Sequence, residues 1–85
     1  MSTQEYRKVY VDVYAVMLRD GTVKPRRFLW EDGATYQIDR ILHITPAAST
    51  KVGGRGIRYT VMIEGQEKNI FREDDKWFME APIIK

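Results

Sequence analysis

Cysteine is absent from the 85 residues of the chain, and histidine occurs once. Without thiols, neither a disulfide framework nor a thiolate metal site can form, so packing and hydrogen bonds must stabilise the fold. The absence of cysteine also fits a reducing cytoplasm, which is the predicted location. Because this length is typical of one small domain, we expect residues 1–85 to form a single β domain with a thin core.

Long hydrophobic runs are also missing. The longest apolar run is Tyr14–Leu18, whereas a membrane-spanning helix needs about 20 residues. At the N-terminus, Asp12 interrupts what would be the hydrophobic region of a signal peptide. The sequence therefore predicts a cytoplasmic protein with no membrane partner.

Residues that carry enzyme chemistry are scarce. His43 is the single side chain with an unperturbed pKa near neutrality, and neither Ser2 nor Ser49 lies in a nucleophile motif. Most carboxylates fall in expected turns, and Glu73–Asp75 lacks the alternating ligand spacing of a calcium loop. We expect no catalytic residues, no metal and no cofactor, and therefore predict that the protein is not an enzyme.

What the sequence does contain is apolar alternation with period two, the pattern of half-buried strands. Turn signals such as Asp20-Gly21, Asp32-Gly33 and Glu64-Gly65 separate the alternating segments. Six strands are predicted, at about 9–17, 22–31, 34–45, 57–64, 68–72 and 76–81. The predicted fold is an all-β, antiparallel six-stranded meander that forms a small SH3-like barrel or a strongly bent sheet. Its predicted inner face comprises Val9, Val11, Val13, Phe28, Trp30, Tyr36, Ile38, Ile57, Tyr59, Val61, Ile63, Trp77 and Met79.

Two irregularities are expected within these strands. Pro25 lacks an N–H group, which places its part of the second strand at a sheet edge or a bulge. In the third strand, strict alternation would bury Arg40, which is costly without a partner. A bulge near Asp39 and Arg40 would instead turn Ile41 inward. The long connection from Pro46 to Gly56 is predicted to be a loop.

Positive charge is concentrated in the middle of the chain. Residues 22–60 carry seven basic and three acidic side chains, a net of +4, although the whole chain carries only +2. The stretch 51–59, KVGGRGIRY, combines three glycines with three basic residues. Consecutive backbone N–H groups there would form an anion-binding nest, or the glycines would simply allow a flexible turn. The candidate anion- or nucleic-acid-binding residues are Lys24, Arg26, Arg27, Lys51, Gly53, Gly54, Arg55 and Arg58.

Two tyrosines of the first strand suggest a different site. Tyr10 and Tyr14 are expected on the outward face of the long first strand. An unpaired strand edge can add a strand from another protein or from a second copy of the chain. Tyr10 and Tyr14 are therefore the candidate interaction edge.

Three segments resemble a family of short uncharacterised proteins from Gram-positive bacteria. They are Pro25–Leu42 (PRRFLWEDGATYQIDRIL), Ala47–Thr60 (AASTKVGGRGIRYT) and Lys76–Phe78 (KWF), and the resemblance covers about residues 7–80. It implies a soluble, cytoplasmic small β-barrel of unknown function. Pro25–Leu42 alone is also similar to a small actinobacterial domain found near translesion DNA polymerases, but the additional tryptophans of that domain are absent here.

The sequence thus favours a binding module over an enzyme. The first hypothesis is a non-catalytic protein-interaction or structural module, with self-association left open. The alternative is binding of nucleic acid or another polyanion through the basic, glycine-rich loop. A small ligand in the mouth of the barrel is a third hypothesis.

Overall fold

The computed structural model describes residues 4–48 and 55–84, and these residues form β-strands joined by tight turns. No helix long and apolar enough to cross a membrane occurs among them. The predicted all-β class is therefore confirmed, with seven strands in place of six. The strands are β1 (Tyr6–Met17), β2 (Val23–Leu29), β3 (Thr35–Gln37), β4 (Arg40–Ala48), β5 (Arg55–Ile63), β6 (Gln66–Glu73) and β7 (Lys76–Pro82).

All seven strands belong to one antiparallel sheet, in the order β3-β2-β1-β7-β6-β5-β4. The sheet curls into a half-barrel. Its two end strands, β3 and β4, are consecutive in the chain, and the two residues between them bridge the curled sheet. The Ile38 N–H donates to the Arg26 carbonyl at 2.9 Å, and the Asp39 N–H donates to the Met62 carbonyl at 2.8 Å.

This bridge corrects the predicted third strand, which is in fact two strands, β3 and β4. The interruption at Ile38–Asp39 leaves Arg40 exposed and lets Ile41 pack against the core. A bulge follows at Leu42, where the register between β4 and β5 shifts. The bulge expected near Asp39 and Arg40 is thus replaced by a strand break at Ile38–Asp39 and a bulge at Leu42. The outcome agrees with the expectation that Arg40 avoids burial and that Ile41 turns inward.

The long connection is shorter than expected. Pro46–Ala48 continue β4, and Arg55 and Gly56 begin β5. Pro46 is tolerated in β4 because that strand lies at the edge of the sheet. The remaining connection, residues 49–54, lies outside the described residues.

The prediction for Pro25 is confirmed. The register between β1 and β2 shifts between Tyr14 and Ala15, which pair with Arg27 and Pro25 respectively. Arg26 is therefore the extra residue of a bulge, and Pro25 sits next to it with its side chain fully buried. The missing N–H of Pro25 needs no ladder partner at such a position.

The core occupies the concave face of the curled sheet. All thirteen residues of the predicted inner face belong to the core cluster or pack against it. The sequence pattern did not identify Val23, Ile70 and Ala81, which are also buried in this cluster. Alternation in the strands therefore predicted most of the core face. It missed Val23 because the bulge at Arg26 reverses the alternation along β2, and it missed Ile70 and Ala81 in a strand predicted to be short and at a strand end.

A second buried layer lies on the opposite face. Phe71 and Phe78 are 3% and 0% exposed, yet Phe78 is the register partner of outward-facing Tyr10. The two phenylalanine rings stack with centroids 5.0 Å apart, and the Tyr10 ring meets Phe78 edge-on at 6.0 Å. The central strands are thus buried on both faces.

Candidate functional site: the open edge of strand β1

Strand β1 is shared between two partners. Its first half, residues 6–11, pairs with β7, and its second half, residues 12–17, pairs with β2. Since β7 begins at Lys76 and its last pair with β1 joins Trp77 to Val11, no described strand covers the β7 side of residues 12–17. The uncovered side of residues 12–17 forms the β1 edge.

Proline positions reveal which backbone groups of β1 point towards β7. Tyr6 lies opposite Pro82, which has no N–H group, so this pair is of the type that exchanges no hydrogen bonds. One residue earlier, the Ile83 N–H donates to the Glu5 carbonyl at 2.8 Å. Odd-numbered residues of β1 therefore direct their N–H and C=O groups towards β7, and even-numbered residues direct theirs towards β2.

The same odd–even alternation identifies the backbone N–H and C=O groups that lie on the β1 edge. Ala15 lies opposite Pro25 in β2, again a pair that needs no N–H from the proline. The backbone N–H and C=O groups of Val13, Ala15 and Met17 consequently face the open side. A row of unpaired backbone groups of this kind is a template for another strand.

The two tyrosines predicted as an interaction edge flank this row in different ways. Tyr10 is 50% exposed, but its hydroxyl group donates to Glu73 Oε1 at 3.1 Å, and the Lys8 and Lys76 ammonium groups each lie 5.6 Å from its ring centroid. Tyr14 is 58% exposed, and the Arg27 guanidinium lies 4.3 Å from its ring centroid. Tyr10 is held in place, whereas Tyr14 lies on the surface of the hairpin.

Apolar side chains beyond the core accompany Tyr14. Val16, Met17 and Leu18 are 45%, 70% and 38% exposed. Sequence reasoning missed these three residues as parts of a site. The signal was the uninterrupted apolar run Tyr14–Leu18, because a half-buried strand should alternate and this segment is apolar on both faces.

A groove continues the edge where β1 and β7 diverge. It has a volume of about 570 Å³ and is lined by Tyr10–Val13 from β1 and Asp75–Trp77 from β7 and the preceding turn. Two carboxylate residues, Asp12 and Asp75, and one cationic residue, Lys76, lie among the lining residues. The groove marks the position that a longer β7 would occupy.

The outer edges at the two ends of the described sheet carry the usual protection against strand addition. Strand β3 is three residues long, and the part of β2 beyond it contains Lys24 and Pro25. The outer edge of β4 contains Arg40 and Pro46. Short strands, prolines and charges discourage pairing with another chain. Residues 13–17 of β1 have none of these features.

The candidate anion-binding residues are spread over the sheet. Lys24, Arg26 and Arg27 are exposed on β2, whereas Arg58 lies on β5, and the sheet order places β1, β7 and β6 between them. The half-buried Arg58 has an Nε atom without a hydrogen-bond partner. Arg55 begins β5, and Lys51, Gly53 and Gly54 lie outside the described residues.

One glycine of KVGGRGIRY has a packing role. A Cβ atom built on Gly56 would lie 1.9 Å from the Arg72 carbonyl oxygen of the neighbouring strand. Only glycine allows β5 and β6 to approach this closely. The close packing of β5 against β6 therefore explains the glycine at this position without a ligand.

A second cavity has a volume of about 300 Å³. Phe28, Trp30 and Tyr36 line one side, and Met79 and Ala81 line another. The Phe28 ring stacks on Tyr36 with centroids 5.4 Å apart and meets Trp30 edge-on at 6.5 Å.

The described part of the chain contains no cluster of three His, Asp or Glu residues that could hold a metal ion. His43, the single histidine, is exposed on β4.

Comparison of the chain with protein-family models, with curated proteins and with solved structures found no match. The resemblance to small proteins of Gram-positive bacteria therefore stays a prediction. Any functional argument must come from the site itself.

Proposed function

We propose that the protein is a non-catalytic interaction module that binds an extended polypeptide segment along the β1 edge. The observation that supports this proposal is the row of unpaired backbone groups at Val13, Ala15 and Met17, beside the exposed side chains of Tyr14 and Val16. An added strand would exchange hydrogen bonds with the row, and its apolar side chains would cover the exposed ones.

Hydrogen exchange tests the proposal at the level of single amides. The probe is a synthetic peptide that copies residues 12–18, DVYAVML, preceded by two lysines for solubility, added to dilute protein. We expect the amides of Val13, Ala15 and Met17 to become protected, because they face the added strand. The amides of Asp12, Tyr14 and Val16 already donate towards β2 and should change little.

The control peptide carries proline at the positions of both Tyr14 and Ala15. Whichever of its edges faces the protein then lacks an N–H donor. Equal protection by both peptides, or protection of none of the three odd-numbered amides, would contradict strand addition.

Nucleic-acid binding is the second candidate function, and one contact favours it. The Arg27 guanidinium lies over the exposed Tyr14 ring, and cationic groups beside exposed aromatic rings are typical of surfaces that bind single strands. Titration of the labelled protein with mixed-sequence single-stranded DNA should then shift the Lys24, Arg27 and Tyr14 signals at low salt. Phosphate contacts predict that these shifts disappear as salt is added. Shifts that persist unchanged in salt, or no shifts, would exclude this function.

A further inference from the structure

We infer that the occupant of the β1 edge is the β1 edge of a second copy of the chain, paired antiparallel across a two-fold axis at Ala15. This inference rests on the proposed function and specifies its partner. Three features support it: the alternating direction of the backbone N–H and C=O groups along β1, the side-chain pattern, and the charges of the groove.

The direction of the backbone N–H and C=O groups restricts the register in which the two β1 strands can pair. In an antiparallel pair, residues that face the partner must lie opposite residues that also face it. Val13, Ala15 and Met17 are the three such residues of the open segment. When Ala15 lies opposite Ala15 of the second copy, Val13 lies opposite Met17, and all three residues of each copy are used. Three pairs that each exchange two hydrogen bonds give about six new bonds.

Neighbouring registers use fewer of these groups. A shift that places Val13 opposite Ala15 would require Met17 to pair with Val11, whose backbone groups are already engaged with β7. A shift in the other direction leaves Val13 without a partner. The register centred on Ala15 is therefore the one that satisfies the whole edge.

The side chains fit the same register. Tyr14 lies opposite Val16 of the second copy and Val16 opposite its Tyr14, on the outward face of both strands. Such aromatic and β-branched pairs are favourable cross-strand neighbours. Val13 and Met17 pair on the other face, which covers a methionine that is 70% exposed in one chain. No like charges lie directly opposite one another along this segment, because residues 13–17 carry no charge.

Beyond Met17, each chain would reach the groove of the other. Leu18 lies opposite Asp12 of the second copy, and the pairing ends there because the next position, Val11, is engaged with β7. Arg19 leaves the strand at the mouth of the groove lined by Tyr10–Val13 and Asp75–Trp77. Arg19 then approaches the carboxylate residues Asp12 and Asp75, with Lys76 as the opposing charge among the lining residues. An isologous interface of this kind uses every contact twice.

Cross-linking tests the register directly, since the chain has no cysteine of its own. In the Ala15→Cys variant, two symmetry-related cysteines would lie at a Cα separation of about 5.5 Å, within the range of about 4.4–6.8 Å for a disulfide. We expect mild oxidation to link this variant into covalent dimers that reductant reverses. The matched control is Lys24→Cys, an equally exposed position one strand farther from the axis, which should stay largely unlinked.

Sedimentation of the unmodified protein gives the second readout. The apparent mass should rise with concentration from 10.0 kDa towards twice that value. Met17→Pro removes an N–H that faces the open side, so the protein should fold but dimerise at least tenfold more weakly. Ala15→Thr keeps the N–H and should dimerise. The β2 amide signals report whether each variant is folded.

The outcomes separate the inference from the proposed function. A monomer at millimolar concentration whose Ala15→Cys links no faster than Lys24→Cys overturns the dimer. If the DVYAVML peptide still protects the odd-numbered amides, strand addition survives with a different partner. If the peptide also fails, both proposals fall. A dimer that Met17→Pro leaves intact uses another surface and likewise overturns the inference.

Discussion

The Asp20 carboxylate belongs to the Asp20-Gly21 turn and makes the stability of the fold depend on pH. Its Oδ1 atom accepts the Thr22 N–H at 2.9 Å, and this backbone hydrogen bond is the main reason that the Asp20 pKa lies below its ordinary value. A lowered pKa in the folded state stabilises the fold above the pKa of the unfolded chain. That contribution is lost as the pH falls through the folded-state pKa.

We therefore predict that the Asp20 carboxyl carbon titrates below the ordinary aspartate range when followed by NMR. In Asp20→Asn, the amide oxygen accepts the same N–H at every pH, so the melting temperature of this variant should fall less on acidification. The prediction is wrong if Asp20 titrates at its ordinary value or if both proteins lose stability equally.

Glu64 adopts a backbone conformation that its residue type disfavours. Its φ is 50°, and that of Gly65 is 76°, so the two residues form a hairpin turn with positive φ at both positions. Asparagine tolerates this region better than glutamate does, and the left-handed region costs most other residues about 1–2 kcal/mol. We predict that Glu64→Asn raises the free energy of unfolding by up to about 1 kcal/mol.

Urea denaturation measures this change, and Glu64→Gln is the control. Glutamine removes the same charge without the same tolerance of positive φ, so it should give no comparable gain. Both variants keep the backbone N–H of residue 64, which donates to Asp39 Oδ2 at 3.1 Å. A gain in both variants would assign the effect to charge instead.

At the scale of strands, Gly56 determines how closely β5 and β6 approach. Any side chain there meets the Arg72 backbone, and backbone atoms cannot rotate away as a flexible side chain can. Overpacking typically costs about 1–3 kcal/mol, and a backbone clash belongs at the upper end. We predict that Gly56→Ala lowers the free energy of unfolding by about 3 kcal/mol and speeds amide exchange at Ile57 and Arg72.

Thr60→Ala is the comparison on the same strand. It removes one exposed hydrogen bond, from Thr60 Oγ1 to Asn69 Oδ1 at 2.9 Å, which is worth about 1 kcal/mol. If the two variants are equally stable, the close approach of β5 and β6 is not a constraint. In that case, the three glycines of KVGGRGIRY are open to a different explanation.

The strand pattern was predictable where one face of a strand is buried. Period-two alternation predicted the concave face correctly, and the conflict at Arg40 indicated where the third strand is irregular. Phe71 and Phe78 show where this reasoning fails. Each follows a core residue, so alternation directs it outward, and the sequence alone does not say that the outer face is also covered. The adjacent pairs Ile70–Phe71 and Trp77–Phe78 were the available signal, because neighbouring residues of a strand point to opposite faces.

The interaction edge depends on a length mismatch between strands, which no local pattern encodes. Tyr10 and Tyr14 were predicted as outward residues, and the structure places both there. The open backbone row arises because β7 begins opposite Val11 while β1 continues to Met17. Register of this kind is set by the pairing of distant segments, so it could not be read from β1 alone.

Across the whole molecule, stability should be greatest in the middle of the sheet. Strand β7 has three strands on each side in the sheet order. It is buried on both faces, by Trp77 and Met79 towards the core and by Phe78 on the other side. By contrast, β4 lies at the edge, and its Ile44 is 39% exposed. The loss of a side chain from β7 should therefore weaken the entire fold, and the loss of one from β4 should act locally.

We predict that Phe78→Ala lowers the free energy of unfolding by about 3–5 kcal/mol, the usual cost of removing a buried phenylalanine. A domain of this size has a total of about 5–15 kcal/mol, so the variant should be partly unfolded or close to it. Ile44→Ala should cost less, about 1–2 kcal/mol, because Ile44 is still 39% exposed in the fold and buries less apolar surface than Phe78. Denaturation in urea measures both, and hydrogen exchange should find the slowest amides in β7 and its neighbours. Equal losses in the two variants, or slowest exchange in β4, would mean that the sheet is stabilised from its edge rather than from its centre.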